Sequence, residues 1–116
     1  MISKKLKLDL IKAEHQKREV VLEGGSIDYN GLGTIITTEE CLMDNEVQVR
    51  NKNFSKKDYE DVFNKYLGAT NVIWLSKGIA GDDTHGHVDD ITRFINANTL
   101  VTVLESHPND PNYIQL

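Results

Sequence analysis

The sequence predicts a mixed α/β fold, because short strand-like apolar runs alternate with one strongly patterned helix. Residues 34 to 37 and 72 to 75 are runs of apolar and β-branched side chains, which favour strands. Residues 55 to 68 lie between them and carry an apolar stripe at helical spacing. A ββαβ unit can therefore be drawn over residues 26 to 75, with strands and helix sharing one core.

The N-terminal third predicts a helix followed by strands. Residues 3 to 17 place leucines at three- and four-residue spacings among lysines, which is the pattern of an amphipathic helix. Residues 19 to 22 form an apolar run typical of a buried strand, and residues 23 to 25 break it with two glycines. Residues 26 to 37 then predict a hairpin, because Asn and Gly at residues 30 to 33 supply its turn.

The middle of the chain contains the most clearly defined helix. Residues 38 to 42 can begin a short helix ahead of it. Ser55 and Asp58 form a capping-box-like start, and Gly68 ends the helix after its apolar stripe. A buried strand follows at residues 72 to 75.

The C-terminal part predicts a second hairpin and the start of another helix. Residues 91 to 95 and 99 to 104 are strand-like runs separated by a short polar turn. The polar residues around Pro111 predict a turn that leads into an amphipathic helix at residues 112 to 116. The hairpin and this helix would begin a second ββαβ unit.

The composition is that of one ordinary globular domain. The 116 residues are 39% hydrophobic and 27% charged, with a net charge of −5. No run of Lys and Arg exceeds a pair, so we expect neither a nucleic-acid nor a membrane partner, and a small cation suits the charge better. A single cysteine, Cys41, excludes an internal disulfide. With no apolar signal or membrane-length run, the expected location is cytoplasmic.

Residues 81 to 90 have the composition of an active-site loop. They combine four aspartates, two histidines and two glycines directly after a buried strand. His87 and Asp89 are two positions apart, so an extended backbone would direct both toward one face. The same pattern is also typical of an ordinary turn whose carboxylates cap backbone amides.

Several short sequences carry a resemblance to a known family. They are Leu22-Glu23-Gly24-Gly25-Ser26-Ile27, Gly31-Leu32-Gly33-Thr34, Thr37-Thr38-Glu39-Glu40-Cys41-Leu42, Arg50-Asn51, Trp74-Leu75, Gly78, Gly81-Asp82-Asp83-Thr84 and Gly86-His87-Val88-Asp89-Asp90. In this order they resemble agmatine deiminases, which belong to the bacterial-type peptidyl-arginine deiminase family of guanidine-modifying enzymes. The resemblance extends over the chain from about residue 20 onward.

The resemblance implies a pseudo-symmetric α/β propeller built of ββαβ blades, with mixed sheets, helices outside and an active site in the central channel. Members of the family are longer than this chain. We therefore expect residues 1–116 to be a single partial deiminase domain of about two blades, without the N-terminal and C-terminal blades. The strand edges exposed in this way predict a homo-oligomer.

The resemblance also implies the chemistry: agmatine and water become N-carbamoylputrescine and ammonia through a cysteine-linked intermediate, with no metal or organic cofactor. Asp89 would bind the substrate's guanidinium, and His87 would act as general acid and then as general base. Glu23 would hold the His87 ring in place. The resemblance places the nucleophilic cysteine outside this chain. Cys41 is expected to be a core residue, since it sits in an apolar-flanked helical turn near carboxylates that disfavour its thiolate.

Some of these residues could instead have purely structural roles. Glu23 could bridge to a basic side chain at a strand end. Asp83 is a candidate for supporting the site from outside it. His85 stands where the family pattern has an aspartate, so it could line the channel or, as we favour, face solvent.

Other functions also fit the sequence. A peptidyl-arginine or free-arginine deiminase would use the same residues. Asp83, His85, His87 and Asp89 could bind a divalent metal, although their spacing matches no standard zinc pattern. A truncated, non-catalytic interaction protein would use its exposed strand edges to pair with another chain.

Overall fold

The computed structural model describes residues 2 to 116. It contains three helices and seven strands among these residues. In chain order they are α1 (Ile2–Leu6), β1 (Glu14–His15), β2 (Arg18–Glu19), β3 (Ile27–Tyr29), β4 (Thr34–Thr38), α2 (Glu39–Met43), α3 (Lys56–Leu67), β5 (Asn71–Leu75), β6 (Thr92–Asn96) and β7 (Thr99–Thr102). Two short 3₁₀ turns, Gly24–Ser26 and Val88–Asp90, complete the fold.

The central sheet has three strands in the order β3-β4-β5. Strand β3 pairs antiparallel with β4, and β5 pairs parallel with β4, with Ile36 opposite Ile73. The parallel pairing requires a crossover, which α3 provides between β4 and β5. The predicted ββαβ unit and mixed sheet are therefore confirmed.

Helix α3 begins and ends where its sequence signals predict. The Ser55 side chain accepts from the Asp58 amide, and the Asp58 carboxylate accepts from the Ser55 amide in return. Gly68 ends the helix with φ +69°, a left-handed conformation that glycine adopts without strain. Tyr59 and Phe63 are completely buried on the face that packs against the sheet.

The core has two parts, one on each face of β4. Ile35 packs with α2 and α3 on one face. Ile36 points the other way and packs with Val88 and Ile91. Alternate residues of a strand face opposite sides, so β4 is enclosed on both. The second part of the core fixes Val88, and with it the segment that contains His87 and Asp89.

The predicted helix over residues 3 to 17 is wrong. Only Ile2–Leu6 are helical, and Glu14–His15 and Arg18–Glu19 form a small hairpin. Its turn residues Gln16 and Lys17 have φ +50° and +64°, which a sequence without Gly or Asn at these positions does not signal. The leucines that suggested the helix are largely exposed, so no apolar surface supports a long amphipathic helix here.

The strand predicted at residues 19 to 22 is also shorter than expected and ends at Glu19. Beyond it, the side chain of Asn51 takes the place of a neighbouring strand. It accepts from the Val21 amide at 2.9 Å and donates to the Val21 carbonyl at 2.7 Å. A side-chain amide thus satisfies a backbone segment that the sequence pattern assigns to a sheet.

The predicted second hairpin is confirmed, since β6 and β7 pair antiparallel. The predicted helix after Pro111 is wrong, because residues 111 to 115 form turns. The Asp110 carboxylate accepts from the Asn112 amide at 2.8 Å and competes with helical hydrogen bonding at this position. Among residues 2 to 116, no helix has the length and apolar character needed to cross a membrane.

Candidate active site

Two short turns bring the predicted site residues together. Glu23 lies directly before the Gly24–Ser26 turn, and His87 lies directly before the Val88–Asp90 turn. The two turns contact each other at the edge of the central sheet. Residues that are 64 positions apart in the sequence therefore meet in one place.

Glu23 and Asp89 lie on opposite sides of the His87 ring. Nε2 of His87 is 2.5 Å from Oε2 of Glu23, and Nδ1 is 3.9 Å from Oδ1 of Asp89. An ionised carboxylate only accepts, so Nε2 carries the shared proton and a neutral ring leaves Nδ1 as an acceptor. The nitrogen that can exchange a proton thus faces Asp89.

Gly25 makes this geometry possible. A Cβ atom at this position would lie 2.4 Å from Nδ1 of His87 and 2.9 Å from both carboxylate oxygens of Asp89. Such distances are well inside van der Waals contact. The absence of a side chain at residue 25 therefore keeps space beside Nδ1 and the Asp89 carboxylate.

Helix α2 anchors the loop that precedes His87. The Thr38 hydroxyl donates to the Gly86 carbonyl, and the Glu40 carboxylate accepts from the Gly78 amide at 2.8 Å. Gly86 has φ +86°, and its backbone approaches Gly78 so closely that a Cβ on Gly78 would lie 2.5 Å from the Gly86 Cα. Both glycines are required by this close contact.

Asp82 organises the same loop. Its carboxylate accepts from the Thr84 amide and hydroxyl at 2.7 and 2.5 Å, and from the Gly86 and His87 amides at 2.9 and 3.1 Å. Burial raises the pKa of this carboxyl, but these hydrogen bonds outweigh burial, so its pKa lies below the ordinary value. Asp82 is thus a carboxylate that caps backbone amides.

Arg50 is a residue of the site to which sequence reasoning gave no role. Its side chain is 4% exposed, and its Nη2 and Nε donate to Oε2 of Glu23 at 2.8 and 3.2 Å. The pKa of Glu23 lies below its ordinary value, first because of the hydrogen bond from Arg50 and then because of that from His87. Glu23 therefore bridges to a basic side chain and also binds His87. The Arg50-Asn51 pair in the resemblance was the available signal.

Asp83 and His85, the two candidates for supporting the site, make contacts away from the His87 ring. Asp83 is exposed, and its backbone carbonyl accepts from Gln48 at 2.7 Å. His85 is partly buried, with its Nε2 2.8 Å from Oδ2 of Asp44. The favoured prediction that His85 faces solvent is wrong, because this contact with Asp44 keeps most of the ring covered.

Cys41 is buried beside the site. It is 1% exposed, yet its Sγ lies within 4.8 Å of a Glu23 carboxylate oxygen and a His87 ring nitrogen. Burial raises the pKa of its thiol to about 11, so the thiol is protonated at neutral pH. The prediction that Cys41 is a core residue is confirmed, and its protonated state does not suit a nucleophile.

The same three side chains could offer donors to a metal ion. Thiolate, imidazole and carboxylate are all zinc ligands. Here, however, the carboxylate already binds the Arg50 guanidinium, whose positive charge opposes a second cation. The set differs from the one suggested by the sequence, because it contains His87 but neither Asp83, His85 nor Asp89.

Comparison with known proteins supplies the family. The chain matches the Porphyromonas-type peptidyl-arginine deiminase family over residues 1–116, and it belongs to that family. An agmatine deiminase from Medicago truncatula is 41% identical over 114 residues, which cover 97% of this chain and 29% of that protein. The chain spans less than a third of the length of the curated relatives it matches.

Solved structures agree with this membership. A C. jejuni agmatine deiminase, studied as a cysteine-to-serine variant with substrate bound, is 33% identical with a TM-score of 0.83, and the match covers 98% of this chain and 32% of that one. The agmatine deiminase of Enterococcus faecalis is 39% identical with a TM-score of 0.73, over 81% of this chain and 25% of that one.

Proposed function

We propose that this chain forms the acid–base and guanidinium-binding part of a guanidine hydrolase that converts agmatine and water to N-carbamoylputrescine and ammonia. The observation that carries the proposal is the convergence of Glu23, His87 and Asp89. The membership of the chain in a deiminase family supports the same reaction class.

In this proposal Asp89 binds the substrate. Its carboxylate is partly exposed, with 34% of the side chain open, so a ligand can reach it. A guanidinium is planar and donates two parallel hydrogen bonds, which fit the two oxygens of a carboxylate. Arg93 Nη1 is 4.0 Å from Asp89 Oδ2, and Arg93 Nε is 3.3 Å from Asp28 Oδ1. Because the contact with Asp89 is long and the Arg93 side chain is 56% exposed, the guanidinium of Arg93 can leave Asp89 when a cationic substrate binds.

His87 transfers the protons. A thiolate from outside this chain attacks the guanidinium carbon, and the C–N bond to the leaving group breaks as that nitrogen takes the Nδ1 proton of a doubly protonated His87 ring. Water then attacks the thiol-bound carbon and gives one proton to the now neutral His87 ring. The C–S bond breaks and releases the thiolate and the ureido product, and the remaining proton of the water passes to the released ammonia. Glu23 holds Nε2 throughout, so that Nδ1 faces the reacting atoms. The substrate-bound relative with a cysteine replaced by serine is consistent with a cysteine nucleophile.

Agmatine is the proposed substrate because relatives named agmatine deiminase match most of the chain. Peptidyl-arginine or free arginine is the alternative, which the family name favours. Substrate choice depends on groups that contact the far end of the ligand, and in this proposal Asp89 and His87 act only at the guanidinium end.

We further propose that the chain is part of an α/β propeller, with β3, β4, α3 and β5 as one blade and the β6–β7 hairpin as the start of the next. No metal or organic cofactor is needed for this chemistry. Asp83 and His85 would support the loop from outside the reacting centre.

The test of this site is agmatine binding followed by nuclear magnetic resonance. A single exposed carboxylate gives an ion pair of at most about 1 kcal/mol, whereas a millimolar dissociation constant needs about 4 kcal/mol, so we expect binding weaker than millimolar. Agmatine should shift the signals of His87 and Asp89, and Asp89→Asn should abolish the shifts. Asp61→Asn, which removes an exposed carboxylate on α3, is the control. Shifts that survive Asp89→Asn would contradict the assignment, and titrations with arginine and an arginine peptide compare the alternatives.

A further inference from the structure

Arg50 is a buried cation that joins three segments of the site. Besides Glu23, its Nη2 donates to the Thr84 carbonyl at 2.5 Å and contacts Gln48 Oε1 at 3.4 Å. Its Nη1 lies 3.5 Å from the Cys41 carbonyl. One guanidinium thus links the segment before Gly25, helix α2 and the loop that leads to His87.

Arg50 and His87 bind the same atom. Oε2 of Glu23 accepts from Arg50 Nη2 at 2.8 Å and lies 2.5 Å from His87 Nε2. The Glu23 side chain is 42% exposed, so without a second partner its carboxylate is free to rotate toward water. The contact with His87 is a single hydrogen bond to the end of a long side chain, so His87 alone restrains the Glu23 carboxylate less than His87 and Arg50 do together.

The Arg50 guanidinium has the geometry needed to hold the Glu23 carboxylate in place. Arginine donates from several N–H groups in a fixed plane, so it can bind a carboxylate and a backbone carbonyl at once. Its burial makes it rigid, because Thr84 and Cys41 constrain it from other sides. The position of Glu23 Oε2 is therefore set by a buried group rather than by an exposed one.

We propose that Arg50 is a positioning residue of this site: it fixes Oε2 of Glu23 where that atom binds Nε2 of His87, and so fixes which ring nitrogen faces Asp89. This inference rests on the proposed function. Arg50 does not touch the proposed guanidinium position and acts through Glu23. In the assembled enzyme, its loss should lower kcat with little change in KM, because binding by Asp89 is retained.

The direct test is the tautomer of the neutral His87 ring in this chain, read from its ring nitrogen signals in long-range ¹H–¹⁵N spectra. Wild type should carry its proton on Nε2. Arg50→Met and Glu23→Gln should each give a mixture of tautomers, and the double variant should show no further change. Arg18→Met is the matched control, since Arg18 donates to the Lys52 carbonyl and packs on Phe54. It should keep the wild-type spectrum.

Two results would overturn the inference: a wild-type His87 spectrum in Arg50→Met, or effects of Arg50→Met and Glu23→Gln that simply add. Circular dichroism checks that each variant folds. If Arg50→Met does not fold, Arg50→Lys keeps the charge but lacks the planar fork, and it should still give mixed tautomers. A wild-type spectrum in Arg50→Lys would equally overturn the inference. The tautomer does not depend on turnover, so failure of the proposed reaction is distinguishable from failure of this assignment.

Discussion

His87 Nε2 and Glu23 Oε2 lie 2.5 Å apart although the two residues are 64 positions apart in the sequence. Each residue lies directly before a 3₁₀ turn, and the two turns contact each other, so the fold brings the two segments together. The Glu23 carboxylate is bound by Arg50 as well as by His87, and these contacts allow predictions about the residues around them.

Gly25→Ala should damage the site without unfolding the chain. The new Cβ would fall on Nδ1 of His87 and on the Asp89 carboxylate, so we expect at least one of these side chains to move and agmatine binding to be lost. Gly24→Ala is the control, because no atom lies within 4 Å of a Cβ at that position. Resonance titration with agmatine distinguishes the two variants. Equal binding by both would show that the space beside Nδ1 is not used.

The isolated chain should not release ammonia from agmatine. It contains one cysteine, Cys41, whose buried thiol has its pKa raised to about 11 and is protonated at neutral pH. Without a covalent nucleophile, the remaining groups lose several orders of magnitude in rate. The assay compares the wild-type chain with Cys41→Ala. Turnover by wild type that disappears in this variant would mean that Cys41 is the nucleophile after all.

Acid should destabilise the N-terminus of α3. The pKa of Asp58 is lowered to about 2, first by the Ser55 hydroxyl, then by the Ser55 amide and by His15. A carboxyl whose pKa is lowered on folding contributes stability above its unfolded pKa of roughly 4, and this is lost as the pH falls toward 2. Urea unfolding at pH 7 and pH 3 should show Asp58→Asn less stable at pH 7, with a smaller difference at pH 3. A constant difference would exclude this linkage.

The capping box itself should be measurable. Ser55→Ala removes the side chain that accepts from the Asp58 amide, and we expect a loss of about 1 kcal/mol in the free energy of unfolding. Lys57→Ala, on the same turn, breaks only an exposed pair with Asp61 and should cost clearly less than Ser55→Ala. Equal losses in the two variants would mean that the cap does not stabilise α3.

The chain should associate in solution. Every residue of β7 is exposed, and Leu104 and Ile114 are 82% and 97% exposed around the same groove. Apolar surface and a strand edge of this kind favour a partner. That partner is either another part of a complete deiminase or a second copy of this chain. Light scattering should detect species larger than a monomer, and Leu104→Lys with Ile114→Lys should reduce them. Leu32→Lys, at an exposed hairpin turn, is the control. A monomer at all concentrations would contradict the prediction.

The sequence was sufficient for the elements whose signals are local. The Ser55 and Gly68 caps define α3, and the turn around residues 30 to 33 defines the β3–β4 hairpin. The helix predicted over residues 3 to 17 was wrong because the spacing of the leucines does not show whether the fold offers an apolar surface for them to pack against. The turn at Gln16 and Lys17 carries no glycine, so its left-handed backbone had no sequence signal.

The candidate site also combines residues with local sequence signals and residues whose roles depend on the fold. Glu23, His87 and Asp89 were identified through short contiguous sequences of the family. Arg50 contacts Glu23, which is 27 positions away in the sequence. Its role depends on its burial in the folded chain, which neither spacing nor composition predicts. The proximity of Cys41 to His87 likewise depends on how α2 packs against the loop. Residue types suggested the chemistry, whereas the arrangement of partners required the fold.

The most direct test of the central claim is ammonia release by a chimera in which residues 2 to 116 replace the matching segment of the C. jejuni agmatine deiminase, whose match covers 98% of this chain. The chimera should release ammonia from agmatine and form the carbamoyl product, because this segment supplies the proposed acid–base and guanidinium-binding groups and the rest of the host enzyme supplies the nucleophile. His87→Ala should reduce the rate by about 10²- to 10⁴-fold, whereas Cys41→Ala should leave it within a few-fold of the unsubstituted chimera. A His87→Ala chimera as active as the unsubstituted one would contradict the claim that this chain provides the catalytic histidine.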